Sequence, residues 1–482
     1  MPDFSFRPRS YVHFDMPLKR DAAERLATTP TAVARHPFYP FIYSVQVTQK
    51  IGRDEADKVY WKPEKKRVIA YAAHGDSHIF SHYAEILIEH YEAVLAEKGL
   101  QDCVTAFRKL NGQRNIHFAN EVFNFIRDTS ACSALAMDVT DFFGSLDHDV
   151  LKSAWASLLQ QPKLPDDHFA VYKAITRYSQ VKMETLYNVL HIPLKAPRAK
   201  GNHRLAHIDQ QGNRTIPANT NRLCSPDRFR RIVREERGLC QTNTTGKGIP
   251  QGSPISAILS NIYMLGMDSA LHSFASDNNG LYRRYCDDIL IVLPTVELRD
   301  RARQMIETWL TQLRLQFNAA KTETVDFHEQ RPISGKPLQY LGFTFDGRNK
   351  RIRPASVQRY FQKMRRGVLR AKIQREKADE KAERNEPSTL KKKRLYRLYS
   401  YLGKKLGKTR EERRNFLSYA FDAARIMNDP GIKRQVKDHW NRLQEEIAKP
   451  LPPRAPPVHI RVQIRRARER REGLMRYFGI DT

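Results

Sequence analysis

GLYRRYCDDILIVLP, residues 280–294, reads as two strands joined by a tight turn. Leu281, Tyr282 and Tyr285 lie on one side and the apolar run Ile289 to Leu293 on the other, and only Cys286, Asp287 and Asp288 stand between them. Two adjacent carboxylates held between apolar strands are electrostatically costly unless a cation neutralises them. Mg2+ suits such a place, because it takes oxygen ligands from one or two carboxylates and completes its shell with water and phosphate oxygens. The plainer alternative is that both are ordinary turn residues, since Asp is favoured in turns.

Working outward, ALAMDV (134–139) is a short apolar run that delivers a third carboxylate, Asp138, at its end. Thr140, Asp141 and the aromatic pair Phe142 and Phe143 follow it. In KGIPQGSPISAILSNIYM (247–264) the IPQGSP portion is loop chemistry, and Ser253 before Pro254 predicts a capped helix start. Ile255, Ile258, Leu259, Ile262 and Leu265 then recur at helical spacing. Gly252 would let backbone approach a nucleotide or template base closely, and Gln251 offers amide hydrogen bonds. A plain loop-to-helix junction explains the same residues. Lys321 lies between the amphipathic RARQMIETWLTQL (301–313) and the strand-like TETVDF (322–327), where it is either a positioned ammonium or a solvated lysine.

In this order the segments resemble the reverse transcriptase family. AMDVTDFFGSLDH (136–148) resembles its first palm motif, KGIPQGSPISAILSNIYM its second and YCDD (285–288) its third. LQFNAAKTETVDF (315–327) and LQYLGFTF (338–345) resemble the two that follow, and RVIAYAAHGDSHIFSHYAEIL (67–87) resembles the fingers. The resemblance implies an α+β right-hand polymerase: fingers, a palm with an antiparallel sheet and helices, an α-helical thumb and a basic C-terminal extension. It implies RNA-directed DNA synthesis, with Asp138, Asp287 and Asp288 holding two Mg2+ ions, Mn2+ being a substitute. Phe143 takes the place of the aromatic steric gate against the sugar, with a core aromatic as the alternative. Lys321 takes the place of the residue that protonates leaving pyrophosphate. Lys62 and Arg67 would contact the triphosphate, and Gln251 and Gly252 the nucleotide or template. The implied partners are deoxynucleoside triphosphates, an RNA template or scaffold, and the DNA product.

Within the family, TAFRKL (105–110), FANEVFNFI (118–126) and FFGSLDHDVLKSAW (142–155) are most similar to bacterial defence-associated and abortive-infection enzymes. That implies a dedicated non-coding RNA, antiphage defence and a bacterial cytoplasmic setting. Retron-like and group II intron-derived enzymes are the neighbouring alternatives, and a non-catalytic RNA-binding scaffold with a vestigial palm is the alternative from another class. Some abortive-infection enzymes start DNA on a protein hydroxyl, which singles out Tyr477, although Tyr477 beside Phe478 also reads as an aromatic anchor.

Composition agrees with a polyanionic partner. In 482 residues, 83 Lys and Arg stand against 53 Asp and Glu, a formal charge of +30. Residues 355–482 hold 35 Lys and Arg against 15 Asp and Glu, and so carry +20 of it. In TLKKKRLYRLYSYLGKKLGKTREERR (389–414), Lys391, Lys392, Lys393 and Arg394 are candidates for phosphate contacts. Tyr396, Tyr399 and Tyr401 read singly as inward-packing rings. No apolar run approaches the roughly 20 residues needed to span a bilayer. The N-terminal residues show no signal-peptide pattern, so the chain is expected in the cytosol with no membrane partner, and a homo-oligomer stays open. Cys103, Cys132, Cys224, Cys240 and Cys286 are widely spaced and read as reduced thiols.

The expected organisation is an N-terminal extension at 1–44, fingers at 45–130 and a palm at 131–350 with an insertion around 194–226. A helical thumb at 355–448 follows. A Pro-rich break, KPLPPRAPP (449–457), then leads to a basic C-terminal helix within 449–482.

Overall fold

The computed structural model describes residues 3–9, 11–48, 51–53, 59–61, 63–192, 222–236, 238–382, 388–406, 409 and 414–451. Lys62, Tyr477, most of the 194–226 insertion and nearly all of the 449–482 segment lie outside them. The chain forms two compact units, Met1–Tyr340 with Phe345–Arg348, and Leu341–Thr344 with Asn349–Thr482.

The centre of the first unit is the strand Ala131–Asp138. It is flanked by Asp288–Leu293 on one side and Glu323–His328 on the other, in a five-stranded sheet completed by Leu281–Tyr285 and Arg331–Pro332. All four pairings are antiparallel. A central strand must be apolar on both faces, and Cys132, Ala134, Leu135 and Met137 are buried in turn. The helix Val296–Gln312, capped by the Thr295 hydroxyl on Leu298 N–H at 3.3 Å, packs on the central strand and its neighbour. Its buried stripe of Ala302, Ile306 and Leu310 keeps the four-residue spacing of one helix face, each large side chain contributing about 1.5–3 kcal/mol.

A second sheet runs Lys65–Tyr71, Phe41–Thr48, Ser179–Lys182, Cys240–Thr242. The N-terminal residues build into this unit: Phe14, Ala23, Ala27 and Val33 are buried. Asp15 accepts the N–H groups of His74 and Gly75 at 2.9 and 2.8 Å, which caps the long helix His74–Glu97. Residues 222–225 return to the same region. There Leu223 N–H donates to the His13 carbonyl at 2.7 Å, and Ser225 caps the helix Pro226–Glu235.

The second unit is helical. Pro354 opens the helix Pro354–Lys381, whose Tyr360, Phe361, Met364 and Val368 are buried while Arg359, Lys363, Arg365, Arg366 and Arg370 face solvent. Shorter helices at Lys393–Tyr399, Phe416–Ile426 and His439–Ala448 supply the buried Leu395, Leu417, Ala420 and Leu443. Tyr360 Oη donates to the Tyr399 carbonyl at 2.9 Å. All five cysteines are free. No described helix is long and apolar enough to cross a membrane.

Candidate active site

The hairpin expected at 281–293 forms with Tyr285 opposite Asp288, leaving Cys286 and Asp287 as a two-residue turn. Cys286 adopts φ +60°, the left-handed conformation such turns require. On the other side of the hairpin, Asp138 is the register partner of Asp288. Val139 N–H donates to the Asp287 carbonyl at 3.2 Å. The sheet thus brings all three carboxylates to one end of two neighbouring strands.

The trio bears the electrostatic mark of that crowding. Burial, then the charges of Asp287 and Asp138, push the Asp288 carboxyl up to about 6, and the Lys321 ammonium pulls the other way. A raised carboxyl favours the fold below its ordinary range. That contribution is lost as pH rises through about 6, so above it the charged Asp288 works against the fold unless a cation joins it.

Lys321, in a short turn after Asn318, answers part of this charge by pairing with Asp138. Among the described residues no three His, Cys, Asp or Glu side chains converge as a ready metal cluster. The carboxylates fit hard divalent cations in donor type and mutual repulsion. Lys321 is the cation that stands against one of them, Asp138.

The aromatic and glutamine segments are fastened to each other. Ile249 N–H donates to the Phe143 carbonyl at 2.9 Å, and Gly248 N–H to the Leu146 carbonyl at 2.7 Å. His148 Nε2 donates to the Gly248 carbonyl at 2.9 Å. Phe142 is a core residue, and Phe143 is half-buried and packs against the same core.

One expectation at this loop changes. Ser253 does not cap a helix: the helix is Ser256–Tyr263, and the Ser253 hydroxyl is buried with no hydrogen-bond partner among the described residues. Instead Ser256 Oγ donates to the Pro250 carbonyl at 2.7 Å, so the loop runs on through Ile255. Gly252 has a close neighbour of another kind. At φ +120°, a Cβ there would lie 2.4 Å from the Ala70 carbonyl oxygen. Ala70 N–H donates to the Gln251 carbonyl at 2.9 Å. The glycine therefore seats the Gln251 loop on the strand Lys65–Tyr71. Arg67, exposed on that strand, stands three residues away, about 10 Å along it.

Sequence reading missed what lies beneath the turn. Arg284 and Asp268 are fully buried and form a two-pronged pair at 2.7 and 2.6 Å. Arg284 also donates to the Cys286 carbonyl at 3.0 Å and to Asn261 Oδ1 at 3.2 Å, and Tyr282 Oη donates to Asp268 at 2.8 Å. Asn261 Nδ2 in turn donates to the Ala106 carbonyl at 3.1 Å. The one available signal was a charged side chain, Arg284, inside the strand Leu281–Tyr285 next to the turn.

In the second unit Lys391, Lys392, Lys393 and Arg394 are all exposed. Lys391 and Arg394 line a groove of about 710 Å³ together with Arg370, Arg375 and Tyr399. Tyr396 packs against Trp440 with ring centres 5.2 Å apart, whereas Tyr401 is half exposed.

An antiparallel sheet that gathers carboxylates at one end, with helices behind it, is the palm of a right-hand polymerase, and the α+β fold is of that class. Residues 210–345 match the family described as reverse transcriptase (RNA-dependent DNA polymerase). The matched span contains Gln251, Gly252, Asp287, Asp288 and Lys321 but not Asp138. No curated protein sequence matches the chain. Among solved structures it is similar to apo telomerase from Candida tropicalis truncated from its C-terminal domain, at 9% identity and a TM-score of 0.40. That alignment covers 70% of this chain and 61% of the other. It is also similar to telomerase from Candida albicans in complex with a TWJ fragment of telomeric RNA, at 12% identity and a TM-score of 0.38, over 88% of this chain and 58% of that one. The chain therefore spans about three fifths of these structures' length.

Proposed function

We propose that the chain adds deoxynucleotides to a primer on an RNA template, with Asp138, Asp287 and Asp288 as the residues that hold divalent ions. The observation that carries this reading is the register of Asp138 opposite Asp288, with Asp287 in the adjoining turn. Bound Mg2+ or Mn2+ would supply the positive charge that activates a 3′-hydroxyl and offsets charge on pyrophosphate. The chain's own groups do the rest. Lys321 exchanges Asp138 for a phosphate oxygen and can deliver a proton there. Phe143 presents its ring to the sugar and excludes a 2′-hydroxyl. Gln251 is held on the Lys65–Tyr71 strand, which also brings Arg67 towards the triphosphate. The second unit acts as the thumb, and its exposed cations take the RNA or template duplex.

The finer biology rests on the wording of 105–155 alone: a bacterial cytoplasmic enzyme that copies or is scaffolded by a dedicated non-coding RNA in antiphage defence. Priming from Tyr477 belongs to the same proposal, as does self-association.

The test is primer extension on an RNA template with the wild type and with Asp287→Asn combined with Asp288→Asn. The charge is removed and the volume kept, so incorporation should fall by at least about a thousandfold while RNA binding persists. Synthesis by the double variant at the wild-type rate would move the metal site elsewhere. A wild type that binds RNA but never extends a primer would favour the scaffold reading.

A further inference from the structure

We propose that Phe107 is a nucleotide-contacting residue, a second ring beside Phe143 that packs against the sugar and base of the incoming nucleotide. The inference rests on the polymerase reading and on Phe143 facing the sugar.

Phe107 combines two features that a fold does not ordinarily keep together. It has φ +63°, and among the described residues no other Phe, Tyr or Trp has a positive φ. A bulky L-residue in that region is sterically disfavoured. The residue is also 49% exposed, so burial does not offset the strain. A residue that is strained and solvated at once contributes little to stability, and such positions gather at functional sites.

The flanking residues show how the conformation is imposed. Arg284 N–H donates to the Cys103 carbonyl at 2.8 Å and Thr105 N–H to the Arg284 carbonyl at 3.0 Å, which ties this segment to the catalytic hairpin. The Ala106 carbonyl is held by Asn261, itself a member of the Arg284 and Asp268 network. On the other side, Arg108 is buried, bidentate to Glu92, and donates to the Val104 carbonyl at 2.6 Å. Residue 107, held between these two anchored neighbours, takes the left-handed turn and leaves its side chain exposed. That ring lies edge-on to Phe143, with centres 6.4 Å apart and planes at 63°.

An exposed apolar ring attached to the same hydrogen-bond network as the catalytic turn, and touching the sugar gate, meets whatever the gate meets. A nucleotide offers the matching chemistry, a flat base and the apolar face of a deoxyribose.

The experiment sets stability against nucleotide affinity. Phe107→Gly and Phe107→Asn both suit a left-handed backbone, so neither should lower Tm in thermal denaturation, and the glycine variant should raise it. If the ring serves only the fold, KM for deoxynucleotide in primer extension will stay at the wild-type value. If it meets the nucleotide, KM should rise about tenfold with little change in kcat, and Phe107→Tyr should restore it. Unchanged KM in both variants overturns the inference and leaves the polymerase reading standing. So does a rise confined to the Kd for template-primer, since that would put the ring on the duplex. A wild type that fails to incorporate at all overturns both.

Discussion

Phe142 and Phe143 are adjacent in sequence and differ in what their loss should do. Phe142 is 4% exposed, and Phe142→Ala should cost about 3–5 kcal/mol in chemical denaturation through the cavity it leaves. Phe143 is half-buried at the surface of the site, so Phe143→Ala should leave stability nearly unchanged and lower the discrimination between deoxy- and ribonucleotides by about 10–200-fold. Competition between the two sugars in primer extension measures it, and an unchanged ratio would place the gate elsewhere. At this scale the sequence is readable where the chemistry is local. Asp287 and Asp288 announce themselves because two acids interrupt an apolar run, and the hairpin that carries them forms as the pattern predicts. It is unreadable where a partner is distant. Nothing near Lys321 points to Asp138, and nothing near Gly252 points to the Ala70 carbonyl. Ser253 followed by Pro254 has the local form of a helix cap, yet the loop's hydrogen bond from Ser256 to Pro250 delays the helix.

The strand Leu281–Tyr285 shows the same division one level up. Its apolar positions and its turn predict the element, but nothing local foretells where Arg283 and Arg284, within it, will lie. Arg284 enters the core because Asp268, on the helix Leu265–Asp277, enters it too, and a buried pair is tolerable only when both charges and their remaining hydrogen bonds are satisfied. Arg284→Met should therefore destabilise the protein by about 3–5 kcal/mol, because Asp268 is left as an uncompensated buried charge. Arg284→Met with Asp268→Leu should recover most of that loss in chemical denaturation. The double variant should still extend primers slowly, because the Cys286 carbonyl has lost the donor that holds the catalytic turn. Wild-type extension by a stable double variant would show that the turn holds its own shape.

Across the whole molecule, charge is the most legible property and tertiary pairing the least. A change in composition after about residue 350 marks the helical, basic part of the chain, and +20 of the +30 lies beyond residue 354. Such an excess releases counterions when it meets phosphates, so RNA binding should weaken steeply with salt. Replacing Lys391, Lys392, Lys393 and Arg394 with Ala should weaken binding to unrelated RNAs alike and flatten the slope of log K against log salt by up to about four units. An unchanged slope in a filter-binding titration would make the four residues a solvated face. The sheet that holds the carboxylates has a different kind of history. Its central strand, Ala131–Asp138, is synthesised first, and both neighbours arrive much later, pairing Asp138 with Asp288 and Ala136 with Glu323. Long-range pairings of this kind close slowly, because loop entropy is lost before contacts reward it. A nascent chain on the ribosome can therefore enclose the strand Ala131–Asp138 between its two partners only after residue 328 has emerged. Until then the middle of the future sheet has at least one open edge, and the growing polypeptide depends on delay or on a chaperone to keep it from pairing with other chains.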